Sequence, residues 1–239
     1  MVRGVLFDLD GTLLDLDLSA FLRRYFAALD EAARPLADAS TSSRPFLDDL
    51  HDATSRMMES HPGMTNQQAF DTHMLAATGI DLAEHRHVFE KFYDSTFPTL
   101  ADSARPARGA REAITTALDL GMRVAIATNP IFPRAAIDHR IRWAKLDDLD
   151  LEIVTSYEVM LATKPHADYY RQTAEMLGVA PTECLMVGDD RTLDLPAADT
   201  GMRTFYVGGD AGAAADWSGD LQMLAELLPL LANTEPLRD

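Results

Sequence analysis

VRGVLFDLDGT occupies residues 2–12 of this chain. Apart from Arg3 the stretch is apolar as far as Phe7, and it then carries two aspartates, Asp8 and Asp10, followed by a Gly-Thr pair. An apolar run of this length, broken by acidic and turn-forming residues, predicts a short buried strand over residues 2–7. Both aspartates therefore come directly after a strand, and the fold depends on what that strand pairs with.

Strands and helices alternate along the chain after Pro106. Short apolar runs predict the strands, and helical periodicity predicts the helices. The predicted strands are 123–128, 152–155, 184–187 and 204–207, and the predicted helices are 110–120, 133–144, 166–177, a short one near 194–200 and one from about 220. This alternation is typical of a parallel sheet covered by helices on both faces, and the strand at 2–7 most simply joins it. We therefore predict an α/β fold with a Rossmann-like parallel sheet.

The segment between these two parts has helical patterns and no predicted strand. Apolar residues recur at helical spacing, for example over residues 18–29. Two further helix starts are predicted from the spacing of a capping box, namely Thr65 with Gln68 and Asp81 with Glu84. We therefore predict an all-helical domain at residues 16–104, inserted into an α/β core formed by residues 1–15 and 105–239. The tail from Asn233 is expected to be loose.

Composition disfavours several classes of protein. The chain has 239 residues and a formal net charge of −17, which argues against nucleic acid or an anionic membrane as a partner. Its apolar runs fall far short of the roughly 20 residues that cross a bilayer, and its N-terminus lacks the pattern of a signal peptide. The single cysteine, Cys184, cannot form an intramolecular disulfide and agrees with a reducing compartment. We therefore expect a cytoplasmic protein without a membrane or nucleic-acid partner.

Polar clusters follow the predicted strands at four points of the chain. Because the carboxyl ends of parallel strands meet at one edge of a sheet, clusters that are distant in sequence converge in one crevice there. The clusters are Asp8-Leu9-Asp10-Gly11-Thr12, Thr128-Asn129, Lys164-Pro165 in a loop after the third strand, and Gly188-Asp189-Asp190 with Asp194. Lysine occurs only at positions 91, 145 and 164, so the presence of Lys164 beside this crevice favours a functional role for it.

The residue types in the crevice favour phosphoryl chemistry. Crowded carboxylates repel one another unless a cation lies among them, and an all-oxygen set of ligands favours magnesium over zinc. One carboxylate can attack phosphorus to form an acyl phosphate, while a second can protonate the leaving oxygen and later accept a proton from water. A lysine and a hydroxyl can hold the transferred oxygens. An EF-hand calcium loop is excluded, because a strand precedes the motif and the distant glutamate is missing.

In their order and spacing the four clusters match the four motifs of the haloacid dehalogenase superfamily, which the chain resembles over its whole α/β core. The helical segment after the first motif resembles the helical cap of that superfamily. The resemblance implies that Asp8 is the nucleophile and Asp10 the general acid and base. It also implies that Thr128 and Lys164 hold the phosphate.

The same resemblance implies a magnesium site and a set of substrate contacts. The residues placed at Mg²⁺ are Asp8, Asp10 through its backbone carbonyl, Asp189 and Asp194. The residues placed around the substrate are Thr12, Thr128, Asn129 and Lys164. For Asp190 and Asp194 two roles stay open, namely binding the metal and orienting Lys164 or a metal-bound water.

Asp10 supplies the proton donor that an alkoxide leaving group needs, so the resemblance implies a phosphatase acting on a small phosphorylated metabolite. The alternative is a phosphomutase or phosphotransferase that uses the same aspartyl-phosphate. Mutases of the superfamily carry a histidine soon after the first motif, and residues 13–25 contain none. A non-catalytic phosphate-binding regulator is a further alternative, although such proteins tend to lose the nucleophile or the acid. Hinges near residues 14–17 and 103–107 would make the cap a lid, and the oligomeric state is left open.

Overall fold

The computed structural model of the chain describes residues 1–209 and 212–233. Within them the strands are β1 (Gly4–Phe7), β2 (Leu14–Leu16), β3 (Ala104–Pro106), β4 (Arg123–Ile126), β5 (Ile153–Val154), β6 (Cys184–Gly188), β7 (Arg203–Val207) and β8 (Trp217–Gly219). The α-helices are α1 (Leu18–Ala39), α2 (Phe46–Met57), α3 (Asn66–Thr78), α4 (Arg86–Lys91), α5 (Ala110–Asp119), α6 (Arg134–Trp143), α7 (Ala167–Leu177) and α8 (Leu221–Asn233). Shorter helical turns lie at Phe92–Thr96, Phe97–Ser103, Pro181–Glu183, Leu195–Thr200 and Gly212–Ala214.

Six strands form one sheet in the order β5-β4-β1-β6-β7-β8. All of their pairings are parallel, and β1 lies between β4 and β6 in the middle of the sheet. Because the six strands point the same way, their carboxyl ends meet at one edge. The predicted α/β fold with a Rossmann-like parallel sheet is confirmed.

Helices cover both faces of the sheet because alternate residues of a strand point to opposite faces. In β1, Val5 and Phe7 join one apolar core with α5 and α8, whereas Leu6 joins a second core with α7. All three side chains are completely buried, and burial of each contributes about 1.5–3 kcal/mol. Burial on both faces explains why this strand is an unbroken apolar run in the sequence.

The helical segment is inserted between two connections that run side by side. β2 follows the first cluster and pairs antiparallel with β3, where the chain returns to the core. Between these strands, helices α1 to α4 enclose a separate apolar core that is rich in aromatic rings, such as Phe21 and Phe97 with centroids 5.8 Å apart. An inserted helical unit is therefore present as expected, whereas the domain bounds at residues 16 and 104 and the hinges stay predictions.

The two capping-box predictions have different outcomes. The Thr65 hydroxyl caps α3 by accepting from the backbone N–H of Gln68, whose side chain accepts from the N–H of Thr65. The start predicted at Asp81 is wrong, because α4 begins only at Arg86. The carboxylate of Asp81 accepts from the N–H of Ala83, two residues ahead, and so closes a turn instead of capping a helix.

The periodicity of the sequence predicts none of the short strands β2, β3 and β8, each of which has three residues. An alternation this brief gives no periodic signal. At the other end, α8 reaches Asn233, and the tail after it lies outside the described residues.

Two observations bear on the environment of the protein. Cys184 lies in β6 and is completely buried in the core. In the part of the chain that the structure describes, no helix is both long enough and apolar enough to span a membrane. The cytoplasmic location and the absence of a nucleic-acid partner stay predictions.

Candidate active site

Asp8 lies at the end of the central strand. It follows β1 directly, and its backbone N–H donates to the carbonyl oxygen of Val187 in β6 at 2.8 Å. Its carboxylate accepts from the Nζ of Lys164 at 2.7 Å. Thr128 follows β4 and Asp189 follows β6, the two strands beside β1. The structure therefore brings all four predicted clusters to one edge of the sheet.

Lys164 is a buried cation at this edge. It lies in the loop between β5 and α7, and only 1% of its surface is exposed. Its Nζ donates to Asp8 and, at 2.6 Å, to Oδ1 of Asp194, so one ammonium group bridges two carboxylates. Its backbone N–H donates to the side-chain oxygen of Asn129 at 3.2 Å. Asn129, predicted to bind substrate, therefore joins the loop after β4 to the loop that carries Lys164.

The carboxylates at this edge outnumber the lysine, and their pKa values are perturbed. Burial raises the pKa of Asp8 to about 8, an effect that Lys164 opposes and Asp194 reinforces. Burial also raises the pKa of Asp189, again with a contribution from Asp194. Burial alone would lower the pKa of Lys164, but its two carboxylate partners hold it well above its ordinary value. The site therefore carries excess negative charge, which a proton or an added cation would neutralise.

Three of these carboxylates fit a hard cation. Asp8, Asp189 and Asp194 each offer one oxygen, and the three oxygens lie within 4.8 Å of one another. Donor sets made of oxygen alone suit magnesium. The carboxylate of Asp10 is directed elsewhere, to an arginine. Only its backbone carbonyl therefore remains as the predicted metal ligand.

Two glycines and a threonine let these carboxylates approach one another. A Cβ atom on Gly11 would overlap the carboxylate of Asp189, and one on Gly188 would overlap that of Asp194. Gly11 also has a φ of +91°, a conformation that favours glycine. The hydroxyl of Thr12 donates to Asp189 at 3.1 Å. Thr12, predicted to contact substrate, is thus placed to orient a predicted metal ligand.

The structure distinguishes Asp190 from Asp194. Oδ1 of Asp190 accepts from the backbone N–H and the hydroxyl of Thr192, both at 2.7 Å, and from the N–H of Leu193. Asp194 directs one oxygen to Lys164 and the other to the backbone N–H of Asp190. Asp194 therefore contacts Lys164 directly, whereas Asp190 closes its own turn.

A buried arginine that the sequence analysis did not single out as a site residue pairs with Asp10. Arg140 lies on α6 and is 1% exposed, and its Nη1 donates to Oδ2 of Asp10. Its guanidinium also packs over the ring of Phe132, 4.5 Å from the centroid. Oδ1 of Asp10 and Nη2 of Arg140 are buried without a hydrogen-bond partner.

The position of Arg140 within α6 is a signal that could have revealed it. The buried residues of this helix are Ala136, Ile137, Arg140 and Ile141, which form one helical face. A charged side chain within such a face needs a partner, because an unpaired buried charge is costly. The partner is Asp10, and the periodicity of α6 could not have predicted it.

Hydroxyl groups hold the backbone of Thr128 in place. Thr128 is buried, and its carbonyl oxygen accepts from the hydroxyls of Thr155 at 2.8 Å and Tyr169 at 2.9 Å. The ring of Tyr169 also lies 5.8 Å from the Nζ of Lys164. Thr155 and Tyr169 belong to no motif, so the sequence offered no signal for their place here.

The helical insert reaches this site through the start of α3. Asn66 is completely buried, and its Nδ2 donates to the carbonyl oxygens of Pro130 at 3.1 Å and Ala162 at 3.2 Å. These carbonyls belong to the loops that carry Thr128 and Lys164. The insert is therefore packed onto the core directly over the candidate site.

A parallel sheet with an Asp-x-Asp motif at its central strand and a helical insert after that motif defines the haloacid dehalogenase class of hydrolases. The sequence profile described as haloacid dehalogenase-like hydrolase matches residues 2–199. The chain belongs to that family, and the resemblance inferred from its motifs is confirmed.

Individual relatives are more distant. Pyrophosphatase PpaX of Bacillus cereus (strain B4264) is 24% identical over 243 aligned positions, which cover 97% of both chains. The crystal structure of an HAD phosphatase from Thermococcus onnurineus matches with a TM-score of 0.54 at 20% identity, over 95% of this chain and 98% of that one. β-Phosphoglucomutase (pgmB) from Clostridium difficile matches with a TM-score of 0.58 at 16% identity, over 98% of each chain. At these identities the two solved structures demonstrate a common fold.

Proposed function

We propose that this hydrolase is a magnesium-dependent phosphatase that hydrolyses a small phosphorylated metabolite through an aspartyl-phosphate on Asp8. The observation that supports this most strongly is the position of Asp8. Its carboxylate lies 2.7 Å from the buried Nζ of Lys164 and within the acidic group completed by Asp189 and Asp194. A nucleophile is thus adjacent to a cation that can hold phosphate and to ligands that suit a metal.

In the first half-reaction an oxygen of Asp8 attacks phosphorus, and the bond between phosphorus and the leaving oxygen breaks. Asp10 gives a proton to that oxygen, which departs as an alcohol. Lys164 and Thr128 hold the phosphoryl oxygens during the transfer. The product on the protein is an acyl phosphate on Asp8.

In the second half-reaction Asp10 accepts a proton from a water molecule whose oxygen attacks the phosphorus. The bond to Asp8 breaks, phosphate leaves, and the carboxylate is restored. Asp8, Asp189, Asp194 and the backbone carbonyl of Asp10 would hold Mg²⁺, which when bound neutralises negative charge on the phosphoryl group. Arg140, paired with Asp10, fixes the position of that carboxyl group for both proton transfers.

Phosphate release from p-nitrophenyl phosphate and from sugar, nucleotide and short-acid phosphates tests the proposal. Pyrophosphate belongs in the panel because a relative is named for it. Release should require Mg²⁺ and should stop with chelator. If no ester is hydrolysed by folded, magnesium-saturated protein, the proposal is wrong.

Transfer of the phosphoryl group to a second hydroxyl is the alternative to hydrolysis. A structural neighbour that is named β-phosphoglucomutase gives it some support. The absence of histidine from residues 13–25 favours hydrolysis. The presence of both Asp8 and Asp10 argues against a non-catalytic regulator.

Magnesium binding is expected to release about one proton at pH 7. Burial raises the pKa of Asp8 to about 8, so at pH 7 most molecules carry a proton on Asp8 and must lose it to bind the metal. Affinity should therefore rise about tenfold per pH unit up to that pKa and level off above it.

Calorimetric titration at pH 7 in two buffers with different ionisation enthalpies measures this proton. The apparent binding enthalpy should differ between the buffers for the wild-type protein and should be nearly equal for Asp8→Asn. Equal enthalpies for the wild-type protein would contradict the prediction.

A further inference from the structure

A cavity of about 340 Å³ lies between the helical insert and the core. Helices α1, α2 and α3 and the segment around α4 form its insert side, and residues 131–135 and 157–158 form its core side. Its size is that of sites that bind small organic molecules. The cavity is not lined by the residues assigned to catalysis, which are Asp8, Asp10, Thr128 and Lys164.

Apolar side chains form most of the cavity wall. They include Leu22, Phe26, Leu29, Leu50, Phe70 and Phe89. A wall of this kind, with a few polar groups among the apolar ones, is typical of a small-molecule site. The aromatic rings favour a ligand with a flat apolar part.

The charges around the cavity disfavour an anionic ligand. Among the described residues that line it, Arg86 is the only arginine or lysine. Its guanidinium forms an ion pair with Asp71 at 2.5 Å, and Glu90 and Glu158 add negative charge to the wall. A phosphate or carboxylate inside the cavity would lose its hydration without gaining an unpaired cation. The enclosed part of the ligand is therefore uncharged.

Arg140 links this cavity to the candidate active site. Its Nη1 donates to Asp10, while its guanidinium packs on Phe132, a residue that lines the cavity. Tyr25 packs edge-to-face on Phe132 with centroids 5.4 Å apart, and its hydroxyl shares a 2.9 Å hydrogen bond with that of Tyr93. Both tyrosines also line the cavity. The proposed general acid and the cavity are thus neighbours of the same arginine.

The guanidinium of Arg140 has one unsatisfied hydrogen-bond donor. Its Nη2 is buried and has no hydrogen-bond partner. Buried donors are ordinarily satisfied, and this one belongs to a guanidinium that packs on Phe132 in the cavity wall, so a ligand that extends past Phe132 could supply the acceptor. An oxygen of a bound alcohol would be such an acceptor.

We propose that the cavity binds the alcohol part of the substrate, which is then a phosphomonoester of an uncharged, mostly apolar alcohol of roughly one or two aromatic rings. The inference rests on the proposed function, since it places the phosphoryl group at Asp8 and Lys164. The leaving oxygen then faces Asp10, and the organic part extends past Arg140 and Phe132 into the cavity. Pyrophosphate and sugar bisphosphates, whose leaving groups are anionic, are poor substrates on this account.

Thr54 offers a way to fill the cavity. It lies on α2 and lines the cavity, and its hydroxyl donates to the carbonyl oxygen of Leu50 at 2.8 Å. The next residue, Ser55, makes the same kind of bond to His51 at 2.9 Å but is exposed and does not line the cavity. Thr54→Trp should therefore block the cavity, and Ser55→Trp is a matched control that adds the same side chain outside it.

The wild-type protein and both variants are assayed for kcat/KM on 1-naphthyl phosphate, glycerol 3-phosphate and pyrophosphate. Binding of 2-naphthol, which has no phosphate, is measured by calorimetry. The wild-type protein should prefer the naphthyl ester by about tenfold or more, and Thr54→Trp should lower kcat/KM for that ester by about 10- to 100-fold. Thr54→Trp should also lose 2-naphthol binding, and Ser55→Trp should change neither property by more than about threefold. In the wild-type protein 2-naphthol should inhibit hydrolysis of the naphthyl ester.

The outcomes separate this inference from the proposed function. If glycerol 3-phosphate or pyrophosphate is hydrolysed best and Thr54→Trp behaves like Ser55→Trp, the cavity does not hold the leaving group, although the chain is a phosphatase. Hydrolysis of the naphthyl ester that is unaffected by saturating 2-naphthol would also overturn the inference. If no ester is hydrolysed, the proposed function is wrong. In that case, binding of 2-naphthol that is lost only in Thr54→Trp would still identify the cavity as a site for apolar ligands. If the wild-type protein does not bind 2-naphthol either, the cavity is not such a site.

Discussion

Replacement of Asp8 by asparagine is expected to lower the rate of phosphate release by roughly 10⁴-fold or more, because removal of a covalent nucleophile leaves only binding and electrostatic contributions. Asparagine has the size of aspartate and can still accept a hydrogen bond from Lys164, which lies 2.7 Å from Asp8. Its amide cannot form the acyl phosphate. The measurement is phosphate release at saturating p-nitrophenyl phosphate and magnesium. Asp15→Asn is the matched control, because Asp15 is exposed on β2 and should have no effect on the rate.

The stability of Asp8→Asn separates lost chemistry from a lost fold. Burial raises the pKa of Asp8 from 3.8 to about 8, so the folded state resists ionisation of this carboxyl group between those pH values. The corresponding stability of the wild-type protein is complete below the lower pKa and is lost as the pH rises through the upper one. Asparagine is neutral throughout, so metal-free Asp8→Asn should gain stability relative to the wild-type protein over this range. A folded variant that releases phosphate within about tenfold of the wild-type rate would contradict the role of Asp8.

Replacement of Lys164 by methionine is expected to lower the free energy of unfolding of the metal-free protein by about 3–5 kcal/mol, the usual cost of removing one partner from a buried ion pair. Lys164 is 1% exposed, and its Nζ contacts the carboxyl groups of both Asp8 and Asp194. Methionine fills similar space without charge. Urea unfolding at pH 7 with chelator measures the difference. Lys91→Met is the control, since Lys91 is exposed and its replacement should change stability by no more than about 0.5 kcal/mol.

A second substitution tests whether charge is the cause of that loss. Asp194→Asn in the Lys164→Met background removes the charge of one of the two carboxyl groups that contacted Lys164. The double variant should therefore be more stable than Lys164→Met alone, although each single substitution is destabilising. Stability of Lys164→Met equal to that of Lys91→Met would contradict the buried ion-pair account.

The α/β core could be predicted from the sequence because burial on both faces leaves a strong pattern. The strand at residues 4–7 is apolar throughout and is followed at once by Asp8. Each polar cluster follows a strand, and parallel pairing brings strand ends to one edge. The convergence of Asp8, Thr128, Lys164 and Asp189 needed no other information.

Local patterns were less reliable where several local bonds compete. Thr65 and Asp81 begin the same capping spacing, yet only Thr65 caps a helix. A carboxylate can accept from the N–H two residues ahead as readily as from the one three ahead, and Asp81 does the former. Spacing alone does not decide between these bonds.

Contacts between distant elements explain the remaining differences. The partner of Arg140 lies at Asp10, 130 positions earlier, and Asn66 in the insert donates to carbonyls of two core loops. Helical periodicity shows that a residue is buried but does not show what it contacts. The cavity between insert and core likewise arises where two apolar surfaces meet. In the sequence, the apolar residues of each surface have the same pattern as ordinary core residues.

Covalent labelling shows directly whether the protein carries a phosphoryl group on Asp8 during turnover. Protein is mixed with magnesium and an excess of a substrate from the panel, quenched in acid, digested and analysed by mass spectrometry. We expect a phosphoryl group on Asp8 in the wild-type protein and none in Asp8→Asn. With p-nitrophenyl phosphate, whose leaving group departs without a proton, Asp10→Asn should carry more of it, because the base for the second step is missing. Phosphate release that continues in Asp8→Asn, with no label on Asp8 in the wild-type protein, would contradict the account.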